Sequence, residues 1–277
     1  DNTGIANIIN NLIVYGNHQV NSGATIDYST RNLNLAGNFS VLGAGLYAQT
    51  TGTTTFDGAT NQTLTSNATS NLGQFVINKP NLAGLQTVTV LSELHVSGNS
   101  TITTDAGILD ISNQDVYFAG RLYVEPNVVE VGPTFISTGS NVYFDGSDAQ
   151  YIQNANVNPL TFNNIFFSGG GDKAIDIDND RIPFGNKAME VNGNFTIDGS
   201  VVTAAGWNDG GMDIYVRGDW NNTGTFQHGN NDTVFFDGAA DQDISSSAFW
   251  NIKINGSNSK ILQGNITVNN SVTISSG

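Results

Sequence analysis

A tripeptide that returns at nearly constant distance constrains this chain more than any other feature. Phe56-Asp57-Gly58 recurs as Phe144-Asp145-Gly146 and again as Phe236-Asp237-Gly238, first 88 and then 92 residues further on. A glutamine follows each triplet (Gln62, Gln150, Gln242), and an apolar residue stands two positions beyond it (Leu64, Ile152, Ile244). Three more segments keep the same order around the triplet. Leu35-Ala-Gly-Asn-Phe39, Phe118-Ala-Gly-Arg-Leu122 and Val216-Arg-Gly-Asp-Trp220 precede it. Leu72-Gly-Gln-Phe-Val-Ile-Asn, Phe162-Asn-Asn-Ile-Phe-Phe-Ser and Phe249-Trp-Asn-Ile-Lys-Ile-Asn come after it, and Ile9-Asn-Asn-Leu-Ile-Val-Tyr matches these near the amino end. Gly98-Asn99-Ser-Thr-Ile, Gly193-Asn194-Phe-Thr-Ile and Gly264-Asn265-Ile-Thr-Val complete the series. Ordered self-similarity of this kind marks a chain that grows by adding units.

The units read as strands. Thr87-Val-Thr-Val-Leu, Val116-Tyr-Phe and Thr267-Val-Asn-Asn-Ser-Val-Thr-Ile alternate with period two and are rich in β-branched and aromatic residues. Asp-Gly pairs at Asp57-Gly58, Asp145-Gly146, Asp198-Gly199 and Asp237-Gly238 read as turns. Within each copy a Gly-plus-strand motif returns after about 20 to 25 residues, the length of one coil of a solenoid. The expected fold is therefore all-β: a right-handed parallel β-helix, or β-solenoid, built from degenerate copies of about 90 residues, each three to four coils. It runs as one continuous domain over 1–277, with copies at roughly 1–31 (partial), 32–117, 118–215 and 216–277 (partial). A row of tandem immunoglobulin-like sandwiches is the alternative. The polar insert from Gly169 to Ile182 is expected to loop out of the column.

Composition narrows function by exclusion. Only 12% of residues are charged, about one in seven is Asn, and the net charge is −15 with nine basic residues spread along the chain. Nucleic acid needs a clustered basic surface, which excludes it as a partner, and the same balance argues against anionic lipid. No stretch reaches the roughly 18 apolar residues of a membrane helix. With no cysteine there is no disulfide framework and no thiol chemistry. The chain opens at Asp1 without a signal peptide and stops in mid-pattern, so it reads as a mature form or an excised piece of a larger protein.

Nothing in the sequence matches a hydrolase elbow, a zincin helix or a phosphate loop. His18, His95 and His228 stand far apart in unlike contexts. Asp176, Asp178 and Asp180 alternate as calcium ligands do, but Arg181 occupies the place of the sharp-turn glycine and Lys187 that of the bidentate Glu. The other reading of that stretch is a solvated strand face and turn, with Ile175 and Ile177 inward. Apart from that Ca²⁺ candidate no cofactor is expected. Arg181-Ile-Pro183 faintly resembles the Arg-x-Pro-x-x-Arg of β-helical pectate lyases, with Asn186 in place of the second arginine. Together with Trp207 and Trp220, taken as exposed, it supports the alternative function, a carbohydrate-active β-helix acting as lyase or hydrolase. Arg217-Gly218-Asp219 spells an integrin-type tripeptide but fills the slot held elsewhere by Ala-Gly-Asn. The recurring aspartates and glutamines read as turn and corner residues rather than catalytic ones.

The run from Gly218-Asp-Trp-Asn-Asn-Thr-Gly-Thr-Phe through Thr233-Val-Phe-Phe-Asp-Gly and Gln242-Asp-Ile to Phe249-Trp-Asn-Ile-Lys-Ile resembles a repeat of very large cell-surface, adhesin-like proteins of the Bacteroidota. Earlier copies depart from that pattern, with Phe39 or Leu122 in the place of Trp220. The resemblance implies secretion through the type IX pathway, an extracellular or cell-surface location and a structural or adhesive, non-catalytic role. The implied partners are flanking repeats of the same parent protein or further copies of the chain, with glycans or other surface proteins as targets. Far-ultraviolet circular dichroism should show strand and less than about a tenth helix; a larger helical signal would sink this fold assignment.

Overall fold

The computed structural model of the chain describes residues 4–80, 85–102, 107–124, 135–154, 159–176, 188–204, 212–256 and 258–275. Every regular element among them is a strand, and the strands pair in parallel with their counterparts one coil away. The chain is a β-solenoid. Immunoglobulin-like sandwiches, whose sheets are antiparallel, are set aside. No helix among the described residues is long and apolar enough to cross a membrane.

The strands fall into two compact units, Asp1–Ser140 and Asn141–Gly277. In the first, Ile5–Asn7, Leu12–Val14 and His18–Val20 make one coil, followed by Thr25–Ser29, Leu33–Leu35 and Phe39–Val41. Leu12 pairs with Leu33 and Leu33 with Thr54, 21 positions per coil. In the second unit the step varies: Asn141 pairs with Asn164, Ile165 with Phe195 and Thr233 with Asn251, steps of 23, 30 and 18. Strands keep their register while corners absorb the difference.

Period-two alternation sends every second side chain inward. The strand Thr53–Phe56 alternates half-buried and buried, and Phe56, Phe144 and Phe236 are all fully buried. What precedes and follows each triplet is the layer below and the layer above. Phe56 lies over Leu35 and under Ile77; Phe236 lies over Val216 and under Ile254. Phe144 carries Phe167 above it, ring centroids 5.7 Å apart and 20° from parallel. The conserved order of segments is thus the order of stacked layers. In the last copy Gly264-Asn265-Ile-Thr-Val meets the start of the strand beneath it, and after a bulge Ser271–Ile274 lies over Asn251–Ile254.

Two expectations change. The insert from Gly169 does not loop out throughout: after a left-handed glycine turn (φ +78°, +77° and +63° at Gly169, Gly170 and Gly171), Asp172–Asp176 is a strand paired on both sides, with Lys173 and Ile175 buried. Trp220 is not an exposed aromatic. It is fully buried, stacked on Phe195 at 4.4 Å, with Nε1–H donating to Ser247 Oγ at 2.8 Å. Within the second unit the triplet also changes face, since Asn141–Phe144 and Thr233–Phe236 belong to different sheets.

Truncating Phe56 or Phe236 to Ala should cost about 3–5 kcal/mol in urea unfolding, the usual loss for a buried aromatic. A loss near zero at either position would mean that the ring does not stand in the core.

Candidate functional site

Where a coil turns a corner, the backbone leaves the ladder, and its polar groups need other partners if they are buried. The recurring residues supply them. Gly58 N–H donates to Gln62 Oε1 at 3.2 Å, and Gln62 Nε2 donates down to the carbonyls of Leu35 (2.9 Å) and Gly37 in the previous layer. The last copy repeats this: Gly238 N–H donates to Gln242 Oε1 at 3.0 Å, and Gln242 Nε2 to Val216 O at 3.0 Å and to Gly218 O. Gly146 N–H donates to Gln150 Oε1 at 2.9 Å. All three glutamines are buried.

The glycine of the triplet is not there for a left-handed turn, as its Asp-Gly pairing suggested. Gly58 and Gly238 have ordinary φ; a Cβ would stand 2.1 Å from Ala36 O or 2.0 Å from Arg217 O. Close approach of the layer below forbids a side chain. Asp198-Gly199, by contrast, does have the left-handed glycine (φ +66°) that such a pair predicts.

Sequence reasoning missed the fourth member, a lysine from the layer above. Lys79 Nζ donates to Gly58 O and Thr60 O at 3.2 Å each and to Gln62 Oε1. Lys173 donates to Gly146 O, and Lys260 to Gly238 O at 2.9 Å and Ala240 O at 3.4 Å. Lys79 and Lys173 are buried. Burial lowers the pKa of all three, while the aspartate of the triplet opposes the shift: Asp57 for Lys79, Asp145 for Lys173, Asp237 (after Asp241) for Lys260. The only signal in the sequence was a lysine standing 21, 27 and 22 positions beyond the triplet glycine.

The Gly-Asn pairs build a second ladder. Asn194 N–H donates to Asn164 Oδ1 (2.7 Å), Asp219 N–H to Asn194 Oδ1 (2.8 Å) and Asp243 N–H to Asp219 Oδ1 (2.9 Å), so one oxygen per coil receives the next coil's backbone. Asn17, Asn38 and Thr63 do the same in the first unit. Arg217-Gly218-Asp219 is one rung of this ladder. Its carboxylate receives Asp243 N–H, and Arg217 Nη1 donates to Glu190 Oε2 (3.0 Å) and Asn192 Oδ1 (2.5 Å).

Asp176 closes the strand Asp172–Asp176, while Asp178, Asp180, Arg181, Pro183, Asn186, Lys187 and Trp207 lie outside the described residues. Among the described residues, no group of three or more His, Asp or Glu stands together as a metal cage would. The histidines remain apart. His18 is buried with Nε2 2.9 Å from Tyr28 Oη, His95 stacks on Tyr117, and His228 lies beside Trp250.

One sheet face of the second unit does gather charged and aromatic side chains. Glu190, Tyr215, Phe235 and Lys253 form a column across four paired strands. Arg217 joins Glu190 and lies 3.7 Å from Asp237. A saccharide needs an open ring face to stack on, but Tyr215 and Phe235 stack on each other at 4.2 Å and Lys253 Nζ stands 5.4 Å over Phe235. Both faces of Phe235 are thus covered. Nearby, burial and then repulsion by Asp232 raise the Asp213 pKa; burial also raises that of Asp232, whose oxygens accept from Met212 and Gly229 N–H.

Burial pulls the Lys79 pKa down to about 8, from 10.5 in the unfolded chain. Between those values the unfolded state holds the extra proton, so the Lys79 contribution to stability rises with pH across that window; below it the full cost of the buried charge remains. Urea midpoints of wild type and Lys79→Met from pH 7.5 to pH 9.5 should therefore diverge in favour of wild type as pH rises. A constant difference would show that Lys79 keeps an ordinary proton affinity.

No protein-family model, curated protein or solved structure matches the chain.

Proposed function

We propose that the chain is a non-catalytic structural or adhesive segment of a large secreted or cell-surface protein, a length of stalk, adhesin or filament. One observation carries this reading: the glutamines and lysines of the recurring corner bond one coil to the next. Gln62 and Gln242 join their own corner to the layer beneath, and Lys79 and Lys260 join it to the layer above. Residues retained for coil cohesion serve elongation, since each unit of a solenoid is stabilised only by its neighbours. The abundance of Asn and the scarcity of charge suit the same end, because side-chain amide ladders stabilise stacked strands.

The extracellular setting and a type IX route rest on the Bacteroidota-like repeat pattern. Ca²⁺ has no part in this reading. The rival, a polysaccharide lyase or hydrolase, draws on the Glu190, Arg217 and Asp237 group beside Tyr215 and Phe235; a shared fold does not confer its activity.

Two measurements test the proposal. Antibodies to the chain should label intact cells of the source organism, and the label should be lost on protease shaving. Acidic and neutral polysaccharides incubated with the chain should yield no new reducing ends or unsaturated products. Cleavage abolished by Arg217→Ala or Glu190→Gln would establish the enzyme instead.

A further inference from the structure

Four Asp-Gly pairs stand among the described residues, and the fold treats one of them differently. In Asp57-Gly58, Asp145-Gly146 and Asp237-Gly238 the glycine is buried, and its N–H donates to Oε1 of Gln62, Gln150 or Gln242. Asp198-Gly199 has no such glutamine. Both residues are exposed, and Gly199 N–H donates to no acceptor among the described residues. A Cβ on Gly199 would meet nothing within 4 Å. That openness does not come from an end of the chain. The layer below receives Asp198 N–H at Phe167 O (2.8 Å), and the layer above sets Thr223 Oγ1 3.3 Å from Asp198 Oδ1 and Thr225 N–H 2.9 Å from Ser200 O.

An aspartate followed by glycine can cyclise, because glycine puts no side chain in the way of the ring. The glycine nitrogen attacks the aspartyl Cγ, a C–N bond forms, and the amide proton leaves with the carboxyl hydroxyl as water. Water then opens the succinimide at either carbonyl. One route restores aspartate. The other gives isoaspartate, whose main chain runs through the side-chain carboxyl and is one methylene longer. An amide already donating to a buried acceptor must first give up that bond.

We propose that Asp198 is a site of spontaneous isoaspartate formation, and that the corner glutamines keep the other three pairs from it. Local sequence gives no such order: Asp145-Gly-Ser147 and Asp198-Gly-Ser200 are the same tripeptide. Of the two Asn-Gly pairs, Gly193 N–H is likewise held, donating to Asn163 O at 2.7 Å. Asn255-Gly256 lies among the last coils and reacts by loss of ammonia, which changes mass as isomerisation does not. The added methylene at Asp198 falls in the bend between Phe195–Ile197 and Val201–Ala204, outside the paired strands. The inference rests on the glycine amides alone and not on the cellular role proposed above.

Prolonged incubation of the intact chain at mildly acid pH tests it, followed by peptide mapping with an endoprotease that cuts at aspartate and not at isoaspartate. Isoaspartate should build up at Asp198 about tenfold faster than at Asp57, Asp145 or Asp237, which corresponds to about 1.4 kcal/mol of barrier. In urea, with the corners gone, the four should react at similar rates. Equal rates in the folded chain, or a spread that persists in urea, would overturn the proposal. In a folded Gln62→Leu chain the rate at Asp57 alone should rise. An unchanged rate there would also overturn it, and the urea comparison stands whether or not that variant folds.

Discussion

A parallel coil survives only if its corners are satisfied. Along the strands every amide and carbonyl meets the next layer, but at each bend the backbone turns out of the ladder while still partly buried. A buried polar group left unmet costs about 1–3 kcal/mol, whereas a made hydrogen bond yields only about 0.5–1.5 kcal/mol net. The penalty is thus larger than the reward, and it explains which residues recur. Gln62 and Gln242 each use both ends of their amide at a corner. A hydrophobic residue of equal size would fill the space but take the partner from one N–H and one carbonyl at each corner, Gly58 N–H with Gly37 O and Gly238 N–H with Gly218 O.

The core depends on the corners in turn. Because the layers are pinned there, the inward residues of adjacent coils fall above one another, and large rings of successive layers meet. Phe195 on Trp220 at 4.4 Å and 5° from parallel is one result; within a coil the rings also meet edge-on, as Phe226 does Trp220 at 4.9 Å. Aromatic contacts of both kinds are favourable. The same pinning leaves little of the cohesion to ion pairs, consistent with its 12% charged residues.

The fold was legible because its repeat is written in layers: each shared segment is one storey, and period-two alternation marks which residues face inward. The glutamine corner was legible too. The lysine was not, since it comes from a neighbouring storey across a loop of variable length, and no local pattern ties it to its glycine. Gly58 was misread because Asp-Gly is a turn signature, whereas the constraint is a carbonyl 2.1 Å from where Cβ would stand, a fact of the layer beneath. Trp220 was misread for a similar reason. Tryptophan beside Asp and Asn suggests a ligand platform, but its place in the strand Trp220–Asn222 pairs it with Phe195 and Ile244 in the core. The triple glycine before Asp172 looked like the mouth of a long loop and is only a sharp turn into another strand.

Among the described residues the strand carrying Phe236 lies eleven strands after the one carrying Phe144, and with three strands to each coil between them that is not a whole number of turns. Sequence period and winding period are therefore incommensurate. Within that unit the glutamine corner moves around the column like a thread on a screw, and what one copy shows on one side the next shows on another. Duplicating or deleting a single copy would lengthen or shorten the column and also turn the azimuth of everything beyond it. In a protein that varies by copy number, length and facing direction would be inherited together.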